Sequence, residues 1–600
     1  MGPVPLRSVL RAGAAGGFVL IFLSLVGLIG RFAVLNLVGE QVTLGRVLLF
    51  LPPFGAAFLV ARPRVVAGER LTAGPRAGAG AGAVTGLVTS ALFGAAVVFA
   101  DWFDVARIRQ VFVAASPAVI DFVTFERGVA VGVLILLGLG VVAGALGGLA
   151  RTGERRVTGA LAAGAFTAIL MGLLQRIVPV AMQELGIDPD FLYSGRTRSL
   201  TWSGAIGLFV LAGGANVLWH RSGQETREKV RATMAQEPAA RTGILVVLLA
   251  VLVILPVLLG SVISQVLGSV MVFVLLGLGL NIVVGYAGLL DLGYVAFYAF
   301  GAYMMALLTG ATLNTTTGSA APAFSMDLNF YFAIWIVVVL AAGMGLLIGA
   351  PVLRLRGDYL AIVTLGLGEI VRVLAESRWL QPVVGGPQGM RGVTNAAIGD
   401  YGFRQPQHFY YLALAFVVLA VFVSWRLSAS RIGRAWNAMR EDEQVANAMG
   451  VSTTKYKLLA FAMGGAVGSL GGALFAVQIG SLTPASFQIL VSITALAVVI
   501  LGGLGSLPGV VAGALVLIGL PGLLREFEEF RLLIYGAVLV AIMVLRPQGL
   551  LPNVRRMREL HEEEAAQDEW VRRFAEGADE AAAVGALPGG PLGVEQEDLT

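Results

Sequence analysis

Residues 281–303, NIVVGYAGLLDLGYVAFYAFGAY, contain an interruption in a long apolar stretch, and the stretch continues after it. The interruption consists of Gly285, Gly288, Asp291 and Gly293. In lipid, a broken helix and a carboxylate are both unfavourable, and they persist only where protein or a water-filled cavity shelters them. Discontinuous helices of this kind often line the permeation route of transporters. The stretch therefore predicts a membrane fold and a functional region within it.

The composition of the whole chain supports a membrane protein. Of the 600 residues, 57% are hydrophobic and 13% are charged, whereas a soluble protein carries about a quarter charged residues. Apolar runs of roughly 18–22 residues recur along the chain, and each is long enough to cross a ~30 Å hydrocarbon core. The 79 glycines suit closely packed membrane helices, because small residues let two backbones approach. We predict an all-α polytopic membrane protein in contact with the lipid bilayer.

Several classes of function are disfavoured by what the sequence lacks. The chain has no cysteine and only three histidines, so thiolate chemistry is excluded and a histidine-built metal site is not expected. The sequence has no GxxxxGK[ST] motif, and therefore no P-loop for ATP. No HExxH motif or Ser/His/Asp arrangement stands out. The net charge of +5 indicates arginine-rich cytoplasmic loops and not nucleic-acid binding. We expect no catalytic residue, metal site or cofactor on this chain.

The apolar runs predict about sixteen transmembrane segments, six in an N-terminal group and about ten in a C-terminal group. Their approximate bounds are 12–35, 42–61, 78–100, 129–150, 157–178, 200–219, 244–264, 269–287, 294–310, 332–353, 358–376, 409–425, 458–479, 490–504, 507–524 and 532–545. The first run lacks a convincing cleavage site, so we interpret it as a retained helix. Most of the 42 Lys and Arg residues lie on one side if the N-terminus is inside, which predicts cytoplasmic termini. The run 490–504 is short, so whether it fully crosses the membrane stays open.

Four regions follow from this pattern. Residues 1–220 form an N-terminal six-helix membrane extension, and residues 221–242 form a polar cytoplasmic linker. Residues 243–552 form the main membrane domain. Residues 553–600 form a charged, partly disordered cytoplasmic tail, since this segment ends in Gly, Pro and acidic residues.

The broken segment has two interpretations. In the first, the residues around Gly285–Gly293 line or gate a pathway. In the second, they form a tight turn in which Asp291 is solvated or caps the following helix, since Asp accepts hydrogen bonds from amides two and three residues ahead. The residues that the first interpretation predicts for a translocation pathway are Asn281, Gly285, Gly288, Asp291, Gly293, Phe297, Tyr303 and Glu369.

A long cytoplasmic connection, residues 431–457, is the second candidate site. Its sequence, RIGRAWNAMREDEQVANAMGVSTTKYK, predicts a helix from about 433 to 449 that ends at Gly450, with Ser452 or Thr453 as cap of the next helix. One modest apolar face is predicted from Trp436, Met439, Ala446 and Met449. Such a helix suits docking into a groove on a cytosolic partner, and the alternative is a helix that lies on the lipid surface.

Two further stretches carry polar residues among apolar ones. In LRLRGDYLAIVTLGLGEIVRVL (353–374), Glu369 and Arg372 are three residues apart, so they share a helix face and can pair. This pair is either part of a pathway or an ion pair near the outer interface, with Arg372 extending its charge to water. The outside loop 377–408 contains GGPQGMRG (385–392), which predicts a structured, turn-rich surface.

Taken together and in order, these stretches resemble the membrane permeases of branched-chain amino acid (Liv-type, LivM-like) ABC importers. The resemblance covers about residues 245–552. It also includes LGGLGSLPGVVAGA (501–514) and RPQGLLP (546–552).

The resemblance implies a permease subunit in the plasma membrane of a prokaryote. It implies a related permease as partner (homodimer or heterodimer), an extracytoplasmic solute-binding protein and two cytosolic ATPase subunits that bind ATP and Mg. It also implies an ATPase coupling loop with an Ala/Gly pattern, which Ala446 and Gly450 match. Gln444 stands where the commonest version has Glu, and Glu443 is its neighbour. The expected coupling residues are Trp436, Met439, Arg440, Glu443, Ala446 and Gly450.

Two other functions stay open at this stage. A permease for urea or short amides belongs to the same class, because the sequence does not reveal the pocket. An ion-coupled secondary transporter would need no partner, and its obvious coupling groups would be Asn281, Asp291 and Glu369. The first 240 residues depart from the minimal family pattern, so the sequence assigns them no role.

Overall fold

A computed structural model of the chain describes residues 4–62, 64–66, 69–71, 74–102, 117–184, 186–218, 238–315, 318–352, 358–398, 401–523, 533, 536, 540 and 549–551. Most of the predicted linker 221–242, the tail 553–600, Arg354, Arg356 and most of the segment 532–545 lie outside these residues. The chain divides into two units, Met1–Gly260 and Ser261–Thr600.

Helices form most of the described structure, as the apolar sequence predicts. The first unit contains α1 (Leu6–Leu25), α2 (Leu28–Arg31), α3 (Leu44–Val60), α4 (Pro75–Trp102), α5 (Pro117–Val123), α6 (Val129–Thr152), α7 (Arg155–Leu173), α8 (Val178–Glu184) and α9 (Trp202–Leu218). Helix α10 (Pro238–Leu280) contains the boundary between the units. The second unit continues with α11 (Val295–Leu308), α12 (Phe330–Val352), α13 (Asp358–Glu376), α14 (Gln381–Val384), α15 (Pro406–Ser428), α16 (Arg431–Glu441), α17 (Glu443–Ala448), α18 (Thr453–Ile479), α19 (Ile489–Gly502), α20 (Leu507–Ala514) and α21 (Leu520–Leu523).

The length and apolarity of these helices confirm a polytopic α-helical membrane protein. Among the described residues, eight helices are long and apolar enough to cross a membrane, and four shorter apolar helices accompany them. The total of sixteen segments and the side of the termini stay predictions.

The structure corrects one predicted boundary, the gap between segments 244–264 and 269–287. Helix α10 continues through residues 265–268, and its backbone leaves helical geometry earlier, at Gly260 (φ 73°, ψ −173°). The physical reason is that a left-handed φ ends a helix locally, and glycine adopts this φ without steric penalty.

Glycines on α4 and α6 bring the backbones of these two helices together in the first unit. Gly82 and Gly86 face Gly144 and Gly140, and a Cβ atom on any of the four would overlap an atom of the facing helix. Glycines four residues apart produce this close approach in membrane helices. The high glycine content therefore has the packing role that the composition predicts.

The second unit is built around α18, which packs along α11. Gly301 on α11 lies against the carbonyl oxygen of Ser469, and Gly472 on α18 lies against that of Tyr298. The spans Gly260–Tyr286 and Thr453–Ile479 are the most buried of the eight candidate membrane spans among the described residues. The broken segment 281–303 is therefore placed in the centre of this unit.

Ten short strands complete the described structure. They are β1 (Asn36–Val38), β2 (Val42–Thr43), β3 (Arg64–Val66), β4 (Glu69–Leu71), β5 (Thr312–Thr315), β6 (Gly318–Ala320), β7 (Met390–Arg391), β8 (Ala397–Ile398), β9 (Tyr401–Gly402) and β10 (Ser481–Leu482). Strands β10, β7, β5 and β6 form one antiparallel sheet in that order. This sheet joins three loops that the charge pattern assigns to the outside, and it contains Met390 and Arg391 of the GGPQGMRG loop, which is structured as predicted.

Candidate functional site

The backbone interruption predicted at 281–303 is present in the structure. Helix α10 passes into a π-helix over Asn281–Tyr286, and the chain then leaves helical geometry until α11 begins at Val295. Single π-helical turns inside α-helices are rare and occur frequently at functional sites.

Side chains from three places satisfy the free amides of this break. The Gly293 amide donates to Oδ1 of Asp291 at 2.9 Å. The Leu292 amide donates to the hydroxyl of Thr364 on α13 at 3.1 Å, and the Val295 amide to that of Ser492 on α19 at 2.7 Å. Because buried amides need acceptors, these bonds fix the connection between α10 and α11 to two neighbouring helices. Sequence reasoning missed Thr364 and Ser492, because a hydroxyl side chain in a membrane helix carries no distinctive signal.

Asp291 is almost fully buried and binds the backbone of its own turn. Its second oxygen, Oδ2, has no hydrogen-bond partner among the described residues. The bond to Gly293 closes a tight turn, as in the second interpretation above, but it does not cap the following helix, since α11 has Tyr294 at its N-cap and no side-chain cap hydrogen bond. A role of Asp291 in a pathway stays a prediction.

Asn281 connects the π-helix to the loop that follows α19. Its side chain is fully buried, and its Oδ1 accepts a hydrogen bond from the Gly505 amide at 2.9 Å. A Cβ atom on Gly285 would lie 2.8 Å from the same amide nitrogen, so only glycine fits there. The amides of Leu550 and Leu551 donate to the carbonyls of Leu501 and Gly502. The 501–514 and 546–552 stretches therefore meet beside the broken segment.

Arg440 brings the 431–457 connection to the same place. Its Nη1 donates to the carbonyl oxygen of Gly285 at 2.6 Å. A Cβ atom on Gly288, where φ is +71°, would lie 2.9 Å from Cγ of Arg440. The stem of Arg440 thus lies directly on the break, and we call the set Asn281, Gly285, Gly288, Arg440 and Gly505 the junction.

The 431–457 connection differs from the predicted helix 433–449 in one respect. It contains two helices, α16 and α17, because Asp442 is extended (φ −151°, ψ 112°) and caps α17 through the amides of Gln444 and Val445. The prediction missed this cap because Asp442 stands within a run of charged residues. Gly450 ends the segment as predicted, with φ +85°. Ser452 precedes α18 as predicted, but its side chain makes no cap hydrogen bond.

The apolar face predicted on one helix is divided by the turn at Asp442. Trp436, Met439 and Ala446 are buried, and the indole of Trp436 donates to the carbonyl of Tyr456 at 2.8 Å. Met449 is instead 79% exposed, so its predicted place on the same face is wrong.

The exposed side of the connection carries a different set of residues. Val445 is 58% exposed, and it lies with Met449 at the surface of α17 and the turn that follows. Gln444 is exposed as well, whereas Glu443 pairs with the nearly buried ammonium of Lys457 at 2.5 Å. Sequence reasoning missed Val445 and Lys457, since a single apolar or basic residue in a polar loop carries no distinctive signal.

The remaining predicted pathway residues, Phe297, Tyr303 and Glu369, make their described contacts with residues outside the junction. Phe297 is buried, with its ring centroid 5.7 Å from that of Tyr294. Tyr303 lies about 12 Å along α11 from its first residue, at 1.5 Å per residue, and its ring is 5.2 Å from Phe487. Glu369 pairs with Arg372, as the spacing predicts, and Glu376 binds the same guanidinium at 2.6 Å.

Comparison with protein families finds a match within the second unit. A profile of the family described as "Branched-chain amino acid transport system / permease component" matches residues 262–544. The chain is 40% identical over 313 residues to the high-affinity branched-chain amino acid transport system permease protein LivM of Escherichia coli (strain K12), covering 48% of this chain and 70% of that protein.

Two further relatives show the range of the similarity. The permease protein BraD of Pseudomonas aeruginosa is 25% identical over 304 residues, covering 48% of this chain and 94% of BraD. The permease protein LivH of Salmonella typhimurium is 29% identical over 148 residues, covering 24% of this chain and 46% of LivH. No solved structure matches the chain.

Proposed function

The chain belongs to the family of permease components of branched-chain amino acid transport systems, and on that premise we propose that it moves branched-chain amino acids across the plasma membrane as a subunit of an ATP-driven importer. The chain itself is a multi-pass transport subunit and not an enzyme. In this proposal two cytosolic ATPase subunits hydrolyse ATP, a related permease completes the membrane part, and an extracytoplasmic binding protein delivers the solute.

The observation that carries the proposal is the two-sided structure of the 431–457 connection. One side is buried, with Trp436, Met439 and Ala446 packed within the second unit. The other side presents Val445 and Met449 to solvent. A short helix that exposes apolar residues between polar ones has the form of a segment that docks into a groove of another protein. We assign this exposed side to the ATPase.

A partner that docks on this connection can affect the broken helix directly, because Arg440 of the connection contacts Gly285. ATP binding on a partner shifts the balance between inward-facing and outward-facing states only if the docked segment differs between them. In this proposal, a change in the position of the docked segment alters α10 and α11 through the contacts of the junction.

Reconstitution tests this function. We expect the full set of subunits in lipid vesicles to take up radiolabelled leucine only with ATP, the ATPases and the binding protein present. Uptake by the isolated chain driven by an ion gradient would instead establish the secondary-transporter alternative.

A competition assay in the same vesicles tests the substrate class. We expect unlabelled isoleucine and valine to reduce leucine uptake, and urea and short amides at equal concentration to leave it unchanged. Inhibition by urea alone would move the assignment to the urea and short-amide permeases.

A further inference from the structure

The carbonyl groups at the end of the broken helix need partners from elsewhere, because the last turn of any helix leaves carbonyl oxygens without intrahelical partners. Two carbonyls of the π-helical segment find partners nearby. The Ala287 amide donates to Ile282 O at 3.2 Å, and the Leu289 amide to Val283 O at 3.0 Å. The partner of Gly285 O is the guanidinium of Arg440, which lies 155 positions away in the sequence.

A guanidinium is well suited to this place. The C-terminal end of a helix carries a partial negative charge, which favours a cation. A hydrogen bond from a charged donor is shorter and stronger than one between neutral groups, and the Arg440 bond measures 2.6 Å. Arg440 thus has both the charge and the geometry of a cap on the broken helix.

The fit of the side chain supports the same role. Gly288 leaves room for the stem of Arg440, since a Cβ atom there would lie 2.9 Å from its Cγ and 3.2 Å from its Cβ. Gly285, which supplies the carbonyl, is itself buried against Gly505. The cap is therefore enclosed by the loop that follows α10 and by the loop that follows α19.

The position of Arg440 along the chain links this cap to the docking surface. It stands at the end of α16, which is anchored by the buried Trp436, and two residues before Asp442. Asp442 is the extended residue at which the chain turns into α17, where Val445 is exposed. Only a single turn therefore separates Arg440 from the helix that carries the exposed Val445.

From these contacts we propose that Arg440 is a positioning residue that caps the broken helix at Gly285 and transmits movement of the docked α16–α17 segment to the 285–293 connection. The bond between Arg440 and Gly285 holds the connection in the conformation of this structure. Its release lets the connection take its second conformation in the transport cycle. The inference rests on the proposed function and adds to it the residue through which the coupling passes.

The test compares Arg440→Met and Arg440→Lys in the complete transporter, measured as leucine imported per ATP hydrolysed. We expect Arg440→Met to lower this ratio about tenfold, in the range of one lost charge-assisted hydrogen bond, while ATP hydrolysis continues. Arg440→Lys keeps a cation at the helix end and should recover part of the ratio. Arg434→Met is the matched control, since Arg434 is an exposed arginine of the same helix, and its Nη1 donates to Ala429 O at the long distance of 3.5 Å.

A second measurement separates positioning from general stability. Hydrogen–deuterium exchange of the Ala287 and Leu289 amides should be faster in Arg440→Met than in the unaltered chain, and the amides of the outer sheet should not change. If Arg440→Met does not insert, Arg440→Gln takes its place. It removes the charge that strengthens the cap, so we expect a smaller fall in the ratio and not an unchanged ratio.

The outcomes distinguish the inference from the function on which it rests. An unchanged import-to-hydrolysis ratio in Arg440→Met or Arg440→Gln would overturn the cap, and so would equal loss in Arg434→Met. Absence of ATP-dependent import in the unaltered complex would instead overturn the proposed function.

Discussion

At the scale of single residues, individual side-chain hydrogen bonds to backbone amides stabilise the broken helix. Thr364 and Ser492 each accept one amide of the break, and Asn281 accepts the amide of Gly505. Each bond joins positions far apart in the sequence. A polar atom buried without such a partner destabilises the fold, so the break is stable only because these side chains surround it.

The cap of α17 gives the first prediction at this scale. Replacing Asp442 by Ala removes the acceptor for the Gln444 and Val445 amides, which lie 2.8 and 3.0 Å from its Oδ1. An N-cap contributes about 1 kcal/mol, so we expect hydrogen exchange of these two amides to accelerate about fivefold. Mass spectrometry of the deuterated protein measures this change.

Asp442→Asn serves as the matched variant, because the amide oxygen of Asn still accepts hydrogen bonds. Glu441→Ala controls for the loss of a neighbouring negative charge. Equal exchange rates in Asp442→Ala and the unaltered chain would show that α17 does not depend on this cap.

The ion pair between Glu443 and Lys457 gives the second prediction. The side chain of Lys457 is 8% exposed and that of Glu443 is 36% exposed, so Glu443→Gln leaves a nearly buried ammonium without its partner. We expect this variant to lose roughly 1–3 kcal/mol of stability, the range for a buried polar group left unpaired. Thermal unfolding in detergent, with Lys457→Met and the double variant, measures the coupling.

The double variant Glu443→Gln/Lys457→Met tests whether the two side chains interact. Because removing both charges leaves no unpaired ion, we expect it to be more stable than the sum of the two single changes predicts. Strict additivity would show that the pair contributes no coupling free energy to the stability of the fold.

At the scale of whole elements, glycines set the distance between neighbouring helices. Helices α11 and α18 touch at Gly301 and Gly472, where each glycine lies against a carbonyl oxygen of the other helix. No hydrophobic driving force brings helices together in lipid, so close backbone contact replaces it. The same device joins α4 and α6 in the first unit.

Gly472→Ala tests this packing. The added Cβ would overlap the carbonyl oxygen of Tyr298, so α11 and α18 must separate, at roughly 1–3 kcal/mol for an overpacked core. We expect a lower melting temperature in detergent. Gly343→Ala on α12, where a Cβ meets nothing within 4 Å, is the control and should leave the melting temperature unchanged or raise it.

At the scale of the molecule, six described loops of the second unit gather into two groups that agree with the charge pattern. The loops after α11, α13 and α18 are predicted to lie outside, and they meet in the sheet of β5, β6, β7 and β10. The loops after α10, α15 and α19 are predicted to lie inside, and they meet at the junction, where Arg440, Gly285 and Gly505 are in contact. The fold therefore makes a simple prediction about which residues reagents reach from each side of the membrane.

Single-cysteine labelling measures this orientation without background, because the chain contains no cysteine. We expect Ser481→Cys, on the exposed edge of β10, to react with a membrane-impermeant maleimide in intact cells. Met449→Cys, which is exposed beside α17, should react only after the cells are permeabilised. The reverse pattern would invert the assigned topology.

Much of this organisation is determined by local sequence. Apolar runs long enough to span lipid predict membrane helices, glycines in an apolar segment predict the interruption near 285–293, and the three-residue spacing of Glu369 and Arg372 predicts their pairing. Each of these depends on residues near one another in the chain, so each is visible in the sequence.

The tertiary structure alone decides which distant residues complete the site. Periodicity predicts one helix over 433–449, but the cap at Asp442 divides it, and as a result Met449 lies at the surface and Ala446 inside. Likewise, the sequence around Arg440 does not show that its guanidinium binds the carbonyl oxygen of Gly285, 155 residues earlier in the chain. The physical reason is that a hydrogen bond forms between groups that packing brings within about 3 Å, and packing depends on all the helices together.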